Sequence, residues 1–101
     1  MAGLSQAQDG LRILAQAGYP PAQDTLGLTF ENGWGSLKID SEAVVWFRKA
    51  AERGFAPAQY DLGRMCASAR GVAKDETEAM KWFRLAAAQG HAEAQTKVGA
   101  R

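Results

Sequence analysis

The chain has few of the residues on which catalysis, metal binding and cross-linking depend. Its 101 residues include one cysteine, Cys66, and one histidine, His91. A single cysteine cannot form an intramolecular disulfide. A zinc site needs about three or four nitrogen or sulfur ligands, which one cysteine and one histidine cannot supply. The sequence also has no base–nucleophile pair, and Gly33-x-Gly35 is too short for a dinucleotide-binding fingerprint. We therefore expect a protein that is not an enzyme and that binds no metal or cofactor.

Charge of one sign and long apolar runs are also missing. The 12 basic and 11 acidic side chains give a net charge of +1, and no run of Lys or Arg exceeds two residues, so no electrostatic footprint for nucleic acid or an anionic membrane exists. No stretch approaches the roughly 18 apolar residues of a membrane span, and the first residues lack the basic and apolar regions of a signal peptide. We expect a cytoplasmic protein, with which a lone cysteine agrees.

What the sequence does contain is a repeat of 36 residues. Residues 19–54 and 55–90 align without a gap, with 15 identities in 36 positions. A fixed period of this size is typical of stacked helical units, each of which buries an apolar face that its neighbour cannot bury alone. The alanine and glycine positions of the repeat continue toward both ends. We predict one domain over 1–101, consisting of a half repeat (4–19), two repeats (20–55 and 56–91) and a partial repeat (92–101).

Each unit has the pattern of two helices, which we name helix A and helix B. In helix A, Leu62 and Cys66 lie four residues apart on one face, and the adjacent Gly63 allows a second helix to approach closely. Helix B carries a broad apolar stripe that includes Trp46 in one unit and Trp82 in the other. We therefore expect both tryptophans in the core and Cys66 as a buried packing residue rather than a reactive thiol. The predicted helices are about 4–17, 21–32, 41–53, 57–68, 76–89 and 93–101.

The start of helix B differs between the two units. Asp75 precedes the helix in the second unit and can accept hydrogen bonds from first-turn amides, with Glu78 three residues on as in a capping box. Ile39 takes the equivalent place in the first unit and cannot do so. We predict that the cap moves there to Asp40 or Ser41 and that the helix begins a residue later.

Together these positions resemble the Sel1-like repeat, a 36-residue relative of the tetratricopeptide repeat. The first unit departs from the pattern at Ser36 and Ile39. The resemblance implies an all-α fold, a short right-handed α-solenoid of antiparallel helix pairs, with about six helices. Members of this family act as adaptors and scaffolds, commonly in bacterial signalling and assembly, so the resemblance implies protein–protein interaction. The second unit matches the pattern at Ala58, Leu62, Gly63, Gly71, Val72, Asp75, Ala79, Trp82, Phe83, Ala86, Ala87, Gly90 and His91.

The resemblance also implies that helix A lines a concave surface on which a protein or peptide partner binds. Tyr60 and Arg64 lie one turn apart on helix A and belong to residue types that dominate binding hot spots. We expect an apolar side chain of the partner to contact Leu28 and Tyr60, and a carboxylate to contact Arg64. The variable inner positions of helix A are Asp24, Leu28 and Glu31 in the first unit, Tyr60, Arg64 and Ala67 in the second, and Thr96 in the third.

Three further features have two interpretations each. Trp34 either projects as a hot spot or folds back on a helix, since the equivalent Arg70 shows that the fold does not require an aromatic there. An arginine recurs once in each unit. The three arginines either form a row that binds acidic partners, or pack the aliphatic part of each side chain on a neighbouring helix. Self-association as a homodimer is the alternative function, with Ala94 and Val98 exposed in the partial repeat and shielded about a two-fold axis. The recurring arginines are Arg12, Arg48 and Arg84.

Overall fold

The computed structural model describes residues 2–35 and 37–99, and side chains from residue 9 onward within those ranges. Six α-helices and no strand occur in the described residues, which confirms the all-α prediction. The molecule measures 48 × 24 × 18 Å along its principal axes, as expected for a stack rather than a sphere. The helices are α1 (Ala2–Gln16), α2 (Pro20–Asn32), α3 (Asp40–Glu52), α4 (Ala56–Ser68), α5 (Glu76–Ala88) and α6 (Ala92–Gly99).

The helices pack mainly on their neighbours in sequence. The pairs α2/α3 and α4/α5 are the A and B helices of the two repeats, α3 joins the repeats by packing on α4, and α2 also touches α4. By the same spacing, α1 is a helix B packed on α2, and α6 is a helix A packed on α5. The core therefore runs along the stack, and the A helices α2, α4 and α6 form one row along it.

A glycine in helix A meets a phenylalanine ring from helix B in both repeats. A Cβ atom at Gly63 would lie 2.6 Å from Cε1 of Phe83, and a Cβ atom at Gly27 would lie 2.5 Å from Cε1 of Phe47. Both rings are buried. Any side chain at these glycines would push the two helices of the unit apart, because real carbon atoms do not approach so closely. The predicted close approach at Gly27 and Gly63 is confirmed.

The two helix B tryptophans differ in burial. Trp82 is buried, and its indole N–H donates to Glu78 Oε2 over 3.1 Å. Arg48, from the preceding helix B, donates to the same oxygen over 2.9 Å, so its side chain packs against the next unit. Trp46 is half buried and packs against the core, so the prediction of a core residue is confirmed for Trp82 and only in part for Trp46.

No salt bridge like Arg48–Glu78 lies beside Trp46 in the described structure. Glu42 and Arg12, which stand where Glu78 and Arg48 stand one unit later, are both exposed. Of the three recurring arginines, only Arg48 forms a salt bridge between helix B elements of the described structure, and Arg84, like Arg12, is exposed. Arg48 thus packs on the next unit, as the second interpretation has it, and a role of the exposed Arg12 and Arg84 in binding acidic partners stays a prediction.

Cys66 is fully buried on helix α4, as the sequence predicts. Burial raises the pKa of its thiol, and the nearby carboxylate of Glu78 adds to that effect. A thiol of this kind is a poor nucleophile, because the reactive species is the thiolate. Cys66 is thus a small packing residue at a position that holds Phe30 in the first unit.

Both B helices begin in the same register. Asp75 caps α5 by accepting from the Glu78 amide over 2.9 Å, which confirms the predicted cap. The other half of the capping box does not form, because the Glu78 carboxylate accepts from Arg48 and Trp82 and the Asp75 amide donates to Cys66. Helix α3 begins at Asp40, 36 residues before Glu76, with Ile39 as its N-cap and no side-chain cap bond. The predicted shift of the cap to Asp40 or Ser41 is therefore wrong.

The register has a main-chain cause. The amide of Ile39 donates to the carbonyl of Phe30 over 2.9 Å, and the amide of Asp75 donates to the carbonyl of Cys66 over 3.0 Å. This bond ties the residue before helix B to helix A of the same unit in both repeats. It sets the start of the helix whether or not the side chain at that position can cap it.

Replacing Gly63 with alanine should destabilise the protein by about 1–3 kcal/mol, because the new methyl group would overlap the Phe83 ring. Gly99 is the matched control. It occupies the same helix A position in α6, where a Cβ atom would meet nothing within 4 Å. Urea midpoints of Gly63→Ala and Gly99→Ala measure the difference, and equal midpoints would contradict the role of the glycine–phenylalanine contact.

Replacing Ala69 with glycine should stabilise the protein by about 0.5–1 kcal/mol. Ala69 ends α4 with φ of 57°, the one positive φ of a non-glycine residue in the described part of the chain, whereas Gly33 holds the same place after α2. The left-handed conformation costs an alanine about 1–2 kcal/mol, which exceeds the entropy cost of a glycine. Ala73, an exposed loop residue outside that region, is the control: Ala73→Gly should lower the melting temperature slightly.

Candidate functional site on the helix A surface

The six residues predicted to bind a partner lie in three different environments. Asp24 and Glu31 of α2 are buried. Three others are half buried on the A helices, and Trp34, in the loop between α2 and α3, is 57% exposed. The half-buried residues are Leu28 on α2 and Tyr60 and Arg64 on α4. We call the surface formed by Leu28, Tyr60, Arg64 and Ala67 the helix A surface.

Arg64 is held by two carboxylates. Its Nη1 and Nη2 donate to the two carboxylate oxygens of Glu31, each over 3.0 Å, and Nη2 also donates to Asp61 Oδ1 over 3.0 Å. This paired geometry is the strong form of an arginine–carboxylate contact. The expectation that Arg64 receives a carboxylate of the partner is not met, because its charge is already neutralised within the protein. Glu31, expected as a variable inner position of helix A, is the salt-bridge partner of Arg64.

A second arginine completes the network between the two repeats. Arg70 donates to Glu31 Oε2 over 2.9 Å and to Asp40 Oδ1 over 3.3 Å, and Lys38 donates to Asp40 over 3.1 Å. Burial alone would raise the pKa of Glu31, but the hydrogen bonds and charges of Arg64 and Arg70 lower it. The Glu31 hydrogen bond likewise raises the pKa of Arg64 despite burial. The network fixes the second unit against the first.

Asp24 forms a carboxyl pair with Asp61 across the repeat boundary. Burial, the hydrogen bond with Asp61 and the repulsion between the two groups raise the pKa of Asp24 to about 8. Asp24 is therefore protonated at neutral pH and donates to the carboxylate of Asp61. Its Oδ1 atom is buried without a hydrogen-bond partner. As a 93% buried acid, with 7% of its surface exposed, Asp24 is not a side chain that a partner can contact, which corrects the sequence prediction.

Tyr60 is held in place by the following unit. Its ring stacks on His91 with centroids 4.9 Å apart and meets Phe83 at a tilt, with centroids 5.7 Å apart. The guanidinium carbon of Arg64 lies 5.8 Å from the Tyr60 ring centroid. Burial and the negative charge of Glu93 raise the pKa of the Tyr60 hydroxyl. The ring therefore presents one rigid edge rather than a freely projecting side chain.

Helix B carries two shallow recesses on another part of the molecule. One, of about 450 Å³, is lined by residues of α5, and the other, of about 260 Å³, by residues of α3. Within the described residues no group of His, Cys, Asp and Glu is arranged to hold a metal ion. No helix among them is both long and apolar enough to span a membrane. The lining residues are Glu76, Thr77, Met80 and Arg84 in the first recess, and Val44, Val45, Arg48, Lys49 and Glu52 in the second.

The fold and this surface define a helical repeat protein with a rigid row of A helices. The Sel1 repeat model matches residues 20–55 and 56–91, and the chain therefore belongs to the Sel1 repeat family. Sel1 repeats are generally protein–protein interaction modules, and proteins built from them are typically non-enzymatic scaffolds. A search among curated proteins gives no match.

Three solved structures are similar to this chain. A Sel1 repeat protein from Oxalobacter formigenes is 38% identical with a TM-score of 0.94, and the match covers 96% of this chain and 73% of that one. The Escherichia coli protein c5321, a protective antigen with the same repeat fold, is 44% identical with a TM-score of 0.93 over 96% of this chain and 21% of its own. Cysteine rich protein B of Helicobacter pylori is 26% identical with a TM-score of 0.79, over 83% and 63%.

The Asp24–Asp61 pair predicts how stability changes with pH. The pKa of Asp24 is higher in the folded than in the unfolded chain, so its contribution is fully present below the unfolded pKa of about 3.8 and is lost as pH rises through about 8. Between pH 5 and 8 this group should lower the free energy of unfolding by at most about 1.4 kcal/mol per pH unit. Glu31 acts in the opposite direction, and its contribution is lost only as pH falls into the acid range.

Asp24→Asn should abolish this decrease of the free energy of unfolding with rising pH. Urea midpoints measured from pH 5 to pH 9 would show the change. The amide keeps the shape of the protonated acid and can still donate to Asp61. Asp9→Asn, at an exposed carboxylate of α1, is the control and should leave the slope as it is in the unmodified protein. The same slope in all three proteins would contradict the assignment.

Proposed function

We propose that this chain is a non-enzymatic adaptor that binds a segment of another protein on the helix A surface. The observation that carries the proposal is the pair of half-exposed side chains, Leu28 and Tyr60, on the A helices of neighbouring repeats beside a fixed Arg64. The Sel1 repeat family supports the general role, because its repeats are generally protein interaction modules.

The surface is organised before any partner binds. The Glu31–Arg64 bonds and the Tyr60–His91 stack hold its side chains in one arrangement, so little side-chain freedom would be lost on association. Because Glu31 and Asp61 already neutralise Arg64, we infer that the bound segment contributes apolar and neutral polar groups rather than a carboxylate. Two repeats offer a small area, and micromolar affinity is expected.

The loop tryptophan is the competing binding site on the same chain. Trp34 is 57% exposed, and Leu37 nearby is 78% exposed. Tryptophan is enriched among binding hot spots. The equivalent position in the second unit holds Arg70, which joins the two repeats, so the fold accepts a basic residue there.

The structure removes one of the two exposed residues on which the alternative function, a homodimer, was based. Ala94 is fully buried, and Val98 is half buried. Their side chains pack toward the rest of the stack because α6 lies against α5. The prediction that the partial repeat exposes Ala94 is wrong, and a two-fold contact through Ala94 and Val98 is not proposed.

Exchanges between equivalent positions test the helix A surface with residue types that the repeat already carries. Leu28→Arg installs the residue type found at the equivalent Arg64, and Tyr60→Thr installs that of Thr96. Val45→Lys, on helix B, installs the residue type of Lys81 and is the matched control. Trp34→Arg installs that of Arg70 and tests the loop.

Affinity capture from the native host, read by quantitative mass spectrometry, distinguishes the two sites. We expect the Leu28→Arg and Tyr60→Thr chains to lose at least about tenfold of the specifically captured partner, since each change would cost more than about 1.4 kcal/mol at a small interface. Val45→Lys should retain it. Full capture by both helix A variants, with loss in Trp34→Arg, would move the binding site to the loop. Circular dichroism melts confirm folding of every variant.

A further inference from the structure

Helix α2 ends in the one asparagine of the chain, and a glycine follows it. Asn32 is exposed, and Gly33 takes the left-handed conformation with φ of 73°. A glycine has no Cβ atom, so it leaves its own nitrogen open toward the carbon of the preceding side-chain amide. The equivalent residues of the second unit, Ser68 and Ala69, offer neither the amide nor the glycine. The repeat therefore does not require this pair.

Main-chain carbonyls of α2 hold both groups of this pair in the folded protein. The side-chain nitrogen of Asn32, Nδ2, donates to the carbonyl of Leu28 over 2.9 Å. The amide of Gly33 donates to the carbonyl of Thr29 over 2.8 Å, and the amide of Trp34 donates to the same carbonyl over 3.0 Å. The first bond turns the side-chain amide back along the helix, and the second occupies the Gly33 amide. The two groups can react with each other only when the last turn of α2 opens.

The opening that brings these two groups together is local. Asn32 and Trp34 are exposed, and the side-chain bond of Asn32 lies at the surface. Phe30 is buried two residues earlier, and the Ile39 amide donates to its carbonyl, so the helix stays anchored up to that point. Helix ends of this kind open at a far lower free-energy cost than the whole fold. The last turn of α2 can thus open while the rest of the stack stays folded.

We propose that Asn32 and Gly33 form a site of spontaneous covalent modification, which reacts when the last turn of α2 opens. The Gly33 nitrogen gives its proton to hydroxide and bonds to Cγ of Asn32, and the side-chain nitrogen takes a proton from water and leaves as ammonia. Water then adds to one of the two carbonyls of the resulting succinimide ring and opens it to aspartate or isoaspartate. In sum, one water enters and one ammonia leaves, with no oxidant, metal or enzyme. This reaction is separate from partner binding on the helix A surface.

Either product weakens the end of α2. An aspartate at this position cannot donate to the Leu28 carbonyl, and its negative charge lies in the last turn of a helix, where the helix dipole disfavours it. An isoaspartate adds one methylene group to the main chain before Gly33, which moves the Gly33 amide away from Thr29. The change lies beside Glu31, which pairs with two arginines of the next unit. Modification should therefore lower the urea midpoint of the protein, and the Asn32→Asp chain should show the part due to charge.

Peptide mass spectrometry measures the reaction in folded protein and in protein unfolded by guanidinium chloride, both kept in one mildly alkaline buffer. Fragmentation locates the new acid and distinguishes aspartate from isoaspartate. We expect conversion at Asn32 in both samples, at least about tenfold slower in the folded one because the turn is mostly closed. Asn32→Ser, which installs the residue type of Ser68, is the matched control and should show none. Gln89, which precedes the left-handed Gly90 after α5, should stay unchanged, because its longer side chain would have to close a six-membered ring.

Two variants that change global stability distinguish local opening from complete unfolding. Gly63→Ala should raise the unfolded fraction and Ala69→Gly should lower it, and neither touches the last turn of α2. If the turn opens locally, both variants convert at the rate of the unmodified folded protein. Rates that follow the unfolded fraction, measured from urea curves, would overturn the proposal. An unchanged Asn32 in folded protein, or equal rates in folded and unfolded protein, would overturn it as well, whatever partner capture by the helix A surface shows.

Discussion

The seating of a phenylalanine ring on the bare backbone of a glycine sets the distance between the two helices of each repeat. In both units a single carbon at the glycine would overlap the ring, so the spacing has little tolerance. That spacing brings the carbonyl before the end of helix A within reach of the amide that precedes helix B, at Ile39 and at Asp75. The start of helix B therefore depends on this contact.

The contacts between the two repeats, in contrast, are made by charged side chains, and the residues that form them differ from one unit to the next. Glu31 receives Arg64 and Arg70 from the next unit, while Asp24 stays protonated against Asp61 a short distance along the same boundary. The two acids of α2 thus respond to pH in opposite directions, since burial dominates for Asp24 and pairing dominates for Glu31. The boundary holds together best at a pH where one is charged and the other is not.

The repeat period was sufficient to predict the six helices, the buried Cys66 and the cap at Asp75, because each depends on positions within one unit. Apart from the predicted cap shift in α3, the errors concern contacts between units. Glu31 and Arg64 are 33 residues apart, and Glu31 and Arg70 are 39 apart, which is one period minus or plus three. In a stack of helices such residues are neighbours, as residues three apart are on a single helix. Opposite charges at these separations were a signal in the sequence.

This division of roles indicates where binding can vary without loss of the fold. In the second unit, Arg64 and Arg70 both return to Glu31, and changing either would leave a buried carboxylate less well compensated. The equivalent positions of the first unit hold Leu28 and Trp34. Both are apolar and more accessible than the acid they flank, Glu31. The same two repeat positions therefore stabilise the stack in one unit and carry accessible apolar side chains in the other.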